Sequence, residues 1–75
     1  MTKLPRDVSG ERAAKAFGRI GFVLDHQSGS HMILIHGDDP ARRLTVPAHR
    51  TIKPGLLRKL VKDAGLSVEQ FIELL

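Results

Sequence analysis

One histidine in the middle of the chain stands where a general acid or base could work. His31 follows the small residues Ser28, Gly29 and Ser30, and residues 32–34 after it are apolar. A strand that begins at His31 would fix the direction of this side chain, and the small turn would leave room for a substrate in front of it. Histidine has an ordinary pKa of about 6.5, so both protonation states are present near neutral pH. The alternative interpretation is a surface histidine, or one that only contacts a neighbouring strand.

The composition limits the size of the core and the kind of partner. A chain of 75 residues forms one small domain, which hides only about 60% of the surface of its unfolded chain. Twelve Lys and Arg against eight Asp and Glu leave a net charge of +4. This excess of positive charge is typical of a protein that binds phosphate groups, although a basic surface is often merely solvated.

The chain also excludes several classes of site and location. It contains no cysteine, so it forms neither a disulfide nor a thiolate metal site, and a reducing compartment fits. Its apolar stretches are all far shorter than the roughly 20 residues that cross a bilayer, and the N-terminus lacks an apolar signal core. We therefore expect a cytoplasmic protein without a membrane segment.

Hydrophobic periodicity predicts two main helices. The first is expected over residues 10–20, with Ser9 as its N-cap and Gly21 after its end. Its apolar side consists of Ala13, Ala16, Phe17 and Ile20. The second is expected over residues 54–64 and is ended by Gly65. Its inward residues are predicted to be Leu56, Leu57, Leu60 and Val61, and its outward residues Arg58, Lys59 and Lys62.

Between the helices the period changes to two, which predicts strands. They are expected over residues 22–26, 31–36 and 42–46, with a hairpin turn over residues 27–29. Pro47 should end the third strand. Ser67 and Gln70 form a capping box for a last helical turn or two. The order predicts an α+β fold of the double-stranded-RNA-binding-domain-like α-β-β-β-α type, a three-stranded antiparallel sheet with helices on one face.

Several motifs in this order resemble one family. They are the Leu4-Pro5 start, residues 20–22 (Ile-Gly-Phe), residues 29–31 (Gly-Ser-His), residues 46–49 (Val-Pro-Ala-His), and residues 53–60 and 64–67 around the second helix. Together they resemble the HicA toxins of bacterial toxin–antitoxin pairs. The resemblance covers nearly the whole chain, so residues 1–75 are interpreted as a single HicA-like toxin domain.

The resemblance implies a function and a site. It implies the toxin of a type II toxin–antitoxin system, a metal-independent endoribonuclease that needs no cofactor, cuts messenger RNA in the cytoplasm, and is silenced by a HicB-like antitoxin. The family's catalytic histidine follows a Gly-Ser pair, so this role falls on His31, and Gly29 and Ser30 shape the approach to it.

RNA cleavage of this kind needs three groups. The 2′-hydroxyl must lose its proton, the leaving 5′-oxygen must gain one, and the charge on the phosphorane must be stabilised. His31 suits proton transfer. The remaining roles stay open among Ser30, the basic residues and the other three histidines, His26, His36 and His49.

Each of these histidines also has a simpler interpretation. His36 is expected to be a solvated strand terminus. His26 lies within cross-strand reach of His31, and His49 either hydrogen-bonds its loop or contacts RNA. A zinc site made from the four histidines is disfavoured, because they are spaced along strands rather than on a helix and cysteine ligands are absent.

Basic residues are the candidates for phosphate contacts. They are Arg42, Arg43, Arg50, Lys53, Arg58, Lys59 and Lys62. Such contacts position RNA without specifying its sequence, and with three Phe, no Trp and no Tyr the chain offers little for bases to stack on. Lys53 precedes a helix N-terminus that could bind an anion, or it simply begins the helix.

The antitoxin is expected to cover the surface that these basic residues form and to bury His31. Met32 is a candidate for the apolar centre of that interface, because a thioether adapts to a partner surface, unless it belongs to the core. Two other function classes remain open. One is a non-catalytic RNA-binding module, and the other is an interaction domain that docks an acidic partner.

Overall fold

The computed structural model describes residues 2–75 and confirms the α+β class. The elements are α1 (Gly10–Gly18), β1 (Phe22–Ser28), β2 (His31–His36), β3 (Arg43–Pro47), α2 (Pro54–Asp63) and α3 (Val68–Leu74). The strands form one antiparallel sheet in the order β1-β2-β3. The short α3 follows the predicted α-β-β-β-α order and is the last turn or two that the capping box indicated.

The helices cover one face of the sheet. Met32 and Leu34 of β2 are buried beside Leu44 and Val46 of β3, and Phe17 of α1 is fully buried against them. His31, Ile33 and Ile35 alternate with the buried residues of β2 and therefore belong to the other face.

The strand boundaries differ slightly from those predicted. β1 extends to Ser28 rather than to residue 26, because Gln27 pairs with Met32 and Ser28 with His31. The hairpin turn is therefore Gly29-Ser30, and a bulge at Asp25 interrupts the register of β1. The third strand is shifted by one residue, since its pairing runs from Arg43 to Pro47 and Pro47 is its last residue rather than the residue that stops it.

The predicted helix caps are confirmed. The Ser9 hydroxyl accepts a hydrogen bond from Arg12 N at 3.1 Å. Ser67 and Gln70 form the reciprocal capping box, with distances of 3.1 and 2.8 Å. α1 ends at Gly18 rather than at residue 20, and α2 at Asp63 rather than at residue 64. Within residues 2–75 no helix is long and apolar enough to span a bilayer.

Leu56 was predicted to face inward and this prediction is wrong. Leu56 is 40% exposed, whereas Leu57, Leu60 and Val61 are buried as expected. Successive helical residues are rotated by about 100°, so Leu56 lies at the margin of the stripe that centres on Leu57. The result is an apolar side chain at the surface of α2.

Gly10 allows α1 to begin close to the end of β3. Its N–H donates to His49 O at 2.9 Å. A Cβ at this position would lie 2.0 Å from Pro47 O, far inside van der Waals contact. The absence of a side chain at Gly10 therefore sets the separation between α1 and the segment after β3.

Substituting this glycine should destabilise the fold. Gly10→Ala is expected to lower the free energy of unfolding by about 1–3 kcal/mol or more, because the added methyl group forces backbone apart. Gly18→Ala is the matched control, since nothing lies within 4 Å of a Cβ there, and it should add about 0.4–1 kcal/mol. Urea unfolding measures the free energy of unfolding of both variants, and equal changes in this free energy would contradict the role given to Gly10.

Candidate active site

His31 is the first residue of β2 and follows a two-residue turn. Gly29 has a φ of +58°, the positive value that a tight hairpin turn favours at its first position. His31 pairs with Ser28 on one side and Pro47 on the other, so its backbone is fixed by two neighbouring strands. Its side chain is exposed, as expected for a residue on the face that the helices leave open.

A cleft of about 320 Å³ lies beside His31, between β3 and α2. We call it the His31 cleft. Its lining residues come from three elements and are His31, Arg43, Leu44, Thr45, Pro47, Leu56, Lys59, Leu60 and Asp63. The cleft thus combines an imidazole with two cations, one hydroxyl and one carboxylate beside an exposed leucine. Of the site residues predicted from the sequence, His31 and Lys59 lie here together, and Arg43 of the predicted phosphate contacts joins them.

The cations of this cleft are not used by the fold. Within residues 2–75 the only ion pair joins His26 Nδ1 and an Asp25 carboxylate oxygen, 2.6 Å apart. Lys59 and Asp63 both line the cleft from α2 without forming such a pair. Arg43 and Lys59 therefore keep their charges available for an anion beside His31.

His36 is a structural residue rather than a solvated strand terminus. Its Nε2 donates to Ile20 O at 3.0 Å, and its Nδ1 accepts from Asp38 N at 3.2 Å. A carbonyl only accepts and a backbone N–H only donates, so these bonds select the neutral tautomer with its proton on Nε2. The ring also packs edge-on against Phe22, with centroids 5.0 Å apart. His36 is therefore engaged on both nitrogens and is half-buried.

The other two histidines lie outside the His31 cleft. His26 is exposed, pairs with Ile33 and hydrogen-bonds Asp25. His49 is exposed and lines a different cleft near the start of α1. Residues 2–75 contain no group of three or more His, Cys, Asp or Glu side chains that could hold a metal ion.

A comparison with protein families decides the class of the protein. The family model described as the HicA toxin of bacterial toxin–antitoxin systems matches residues 10–66. The chain belongs to the HicA toxin family. No curated protein sequence matches it significantly. The family match extends from α1 past the end of α2, and so includes the whole His31 cleft. The HicA toxin is accordingly one member of a toxin–antitoxin pair and has an antitoxin as its partner.

Arg42, one of the predicted phosphate contacts, has a structural role in the fold. Its Nη2 donates a hydrogen bond at 2.8 Å to Ala64 O, the backbone carbonyl oxygen at the end of α2. Its guanidinium also lies over the Phe22 ring, 5.4 Å from the centroid. Arg42 therefore joins the sheet to α2 and is half-buried.

The remaining basic residues of the HicA toxin are exposed and divide into separate groups. Arg58 and Pro54 line a cleft of about 510 Å³ together with Lys3 and Arg6 of the N-terminal segment. Lys53 is the N-cap residue of α2 and its side chain makes no capping hydrogen bond. Arg58, Lys53 and His49 thus lie apart from the His31 cleft, whereas Gly29 and Ser30 adjoin it through the chain.

Met32 belongs to the core of the HicA toxin. It is only 7% exposed, so the hypothesis that it forms the apolar centre of the antitoxin interface is wrong and the core interpretation is confirmed. Among residues 2–75 the exposed large apolar side chains are Val23, Leu24 and Leu56, of which Leu56 lines the His31 cleft.

Arg42 and its sequence neighbour Arg43 should respond differently to the same substitution. Arg42→Gln is expected to lower the free energy of unfolding by about 1.5–3 kcal/mol, because a charged hydrogen bond to Ala64 O is lost. Arg43→Gln is the matched control and should change it by less than about 0.5 kcal/mol, since Arg43 is exposed. Urea unfolding curves test this, and equal losses would contradict a structural role for Arg42.

Proposed function

We propose that this HicA toxin is a metal-independent endoribonuclease that cuts messenger RNA, with His31 as its catalytic residue. The observation that carries the proposal is the exposed His31 imidazole at the first position of β2, in a cleft that also presents Arg43 and Lys59. Cleavage of a phosphodiester needs a group that takes a proton and positive charges that stabilise the phosphorane. The cleft brings a base and two unpaired cations together around one open space.

The proposed reaction uses the 2′-hydroxyl of RNA as the nucleophile. Neutral His31 takes the 2′-hydroxyl proton while the 2′-oxygen forms a bond to phosphorus. The bond from phosphorus to the 5′-oxygen breaks, that oxygen takes a proton from a water molecule, and the water regains a proton from the protonated His31. The products are a 2′,3′-cyclic phosphate and a 5′-hydroxyl. Proton transfer by a positioned group typically accelerates a reaction by about 10²- to 10⁴-fold.

The other residues of the cleft act on the phosphate. Lys59 and Arg43 oppose the negative charge that develops on its oxygens, and this stabilisation is strongest where the donors are already in place. Gly29 and Ser30 leave the approach to His31 open. Lys53, Arg58 and His49 lie outside the cleft, so in this proposal they contact flanking parts of the RNA.

The partner in this proposal is a HicB-like antitoxin that silences the enzyme by covering the His31 cleft. The basic side chains attract acidic residues of the antitoxin, and Leu56 supplies the apolar contact. The toxin domain, residues 1–75, acts on messenger RNA in the cytoplasm and needs no cofactor.

Removing the imidazole should abolish cutting without unfolding the protein. His31→Ala and His31→Gln are expected to lower the rate of RNA cleavage by at least about 10²-fold. Because His31 is exposed, its loss should change the free energy of unfolding by less than about 0.5 kcal/mol. Cleavage of a defined RNA in excess EDTA and growth arrest on expression are measured for each variant.

The controls separate chemistry from structure and from binding. His26→Ala changes an exposed histidine that lies outside the cleft, and this variant should cut RNA like the unmodified chain. A folded His31 variant that still cuts, or cleavage that EDTA abolishes, would refute the proposal. If neither the unmodified chain nor the variants cut RNA that they all bind, the toxin is instead a non-catalytic RNA-binding module.

Antitoxin binding should depend on Leu56. Leu56→Asp is expected to weaken binding of the purified antitoxin by tenfold or more, because it places a charge in the apolar centre of the interface. Val23→Asp is the matched control, since Val23 is 60% exposed and does not line the His31 cleft. Lys59→Glu should slow association at low salt. Equal losses for Leu56→Asp and Val23→Asp, or an unchanged association rate for Lys59→Glu, would place the antitoxin elsewhere.

A further inference from the structure

A second cleft, of about 680 Å³, lies between α1 and the hairpin of β1 and β2. We call it the Leu24 cleft. Ala14, Leu24 and Met32 contribute its apolar surface. Leu24 pairs with the buried Leu34 in the sheet, yet it is 53% exposed. The cleft thus leaves apolar surface uncovered on the side of the sheet that carries the core.

The rim of this cleft carries planar and hydrogen-bonding groups. Glu11 and Gln27 offer a carboxylate and an amide, and His49 and Arg50 offer planar cationic or polar groups. The Gln27 Nε2 donates to Gly29 O at 3.1 Å, which ties the amide to the hairpin turn. An apolar floor with such a rim fits an unpaired nucleobase, which stacks on His or Arg planes and presents polar edges.

The two clefts meet at the same end of the sheet. Met32 of the Leu24 cleft directly follows His31, so the two side chains lie on opposite faces of β2 at this end of the sheet. His49 comes two residues after Pro47, the pairing partner of His31. Ala48 N donates to Ser30 O at 2.6 Å, which joins the segment after β3 to the hairpin turn at this end of the sheet. In this arrangement an RNA strand with one phosphate in the His31 cleft would pass around the hairpin end of the sheet and place a neighbouring base in the Leu24 cleft.

We infer that the Leu24 cleft is a subsite for an unpaired nucleobase next to the cut. The inference rests on the proposed endoribonuclease function and adds a source of sequence preference to it. Glu11 accepts hydrogen bonds from an exocyclic amino group, which adenine, cytosine and guanine carry and uracil lacks. The subsite should therefore disfavour uracil, although the phosphate contacts themselves are indifferent to sequence.

Binding can be tested without cleavage. A single-stranded hexanucleotide RNA with methylated 2′-hydroxyls lacks the nucleophile, and it is added to the unmodified chain during methyl NMR. Methyl resonances of Ala14, Leu24 and Met32 are expected to shift. Those of Leu66 and Leu74 are the internal control, because both pack on the core outside the cleft. Gln27→Ala should weaken the shifts.

Base preference is tested with cleavable RNAs that differ only in the base beside the cut. The unmodified chain should cut the adenine or cytosine substrate with about tenfold higher kcat/KM than the uracil substrate, and Glu11→Gln should reduce this ratio towards one. Glu73→Gln is the matched control on α3 and should keep the ratio, since Glu73 is exposed and remote from the cleft.

The outcomes separate the subsite from the proposed function. Shifts at the Leu24 cleft without any cutting by the unmodified chain would refute the ribonuclease and leave a base-binding subsite. RNA cutting by His31 without these shifts would overturn the subsite alone. Shifts caused by the antitoxin and not by RNA would overturn it as well, as would a base preference that Glu11→Gln leaves unchanged.

Discussion

The contact of Phe17 with two other aromatic rings holds the layers of this small protein together. Phe17 is fully buried, and its ring centroid lies 6.3 Å from that of Phe22 and 5.3 Å from that of Phe71. These rings belong to α1, β1 and α3, so one side chain joins three elements that are distant in sequence. Large aromatic side chains contribute strongly to such a core. Because the helices are held on this face, the opposite face of β2 stays open at His31.

The environment of each histidine decides what it can do. His36 is held in one neutral tautomer by two hydrogen bonds, and it ties the segment between α1 and β1 to the turn after β2. His31 makes no comparable bond among residues 2–75, and it stands beside two unpaired cations. The same side chain thus serves structure in one place and is available for chemistry in the other.

The sequence predicts the elements well because their signals are local. Alternation identifies β2, apolar spacing identifies the helices, and Ser9 marks where α1 begins. Contacts between distant segments carry no such signal. The Ile52 N–H donates to Val8 O at 2.8 Å, and both side chains are buried although neither belongs to a helix or strand. The reach of Arg42 to a carbonyl 22 residues away is equally invisible to periodicity.

The candidate site also consists of a part that local sequence signals predict and a part that depends on contacts between distant segments. The turn before His31 identifies this residue, but the residues that share its cleft come from two other elements, β3 and α2, and no sequence pattern groups them. Thr45 and Asp63 were missed because neither is part of a motif. The apolar character of Leu56 predicts a core position, and only its exposure in the folded chain shows that it lies at the surface. The residue types indicate which side chains could do chemistry, and only the tertiary structure shows which of them lie together.

The bulge in β1 has a consequence for how the protein behaves in a crowded solution. β1 is an edge strand, and its outer row of backbone groups could add a strand from another molecule. The extra residue at Asp25 breaks this row in its middle and places a carboxylate there. Only two short segments on either side retain regular geometry. The fold therefore carries its own protection against cross-β aggregation along this edge of the sheet.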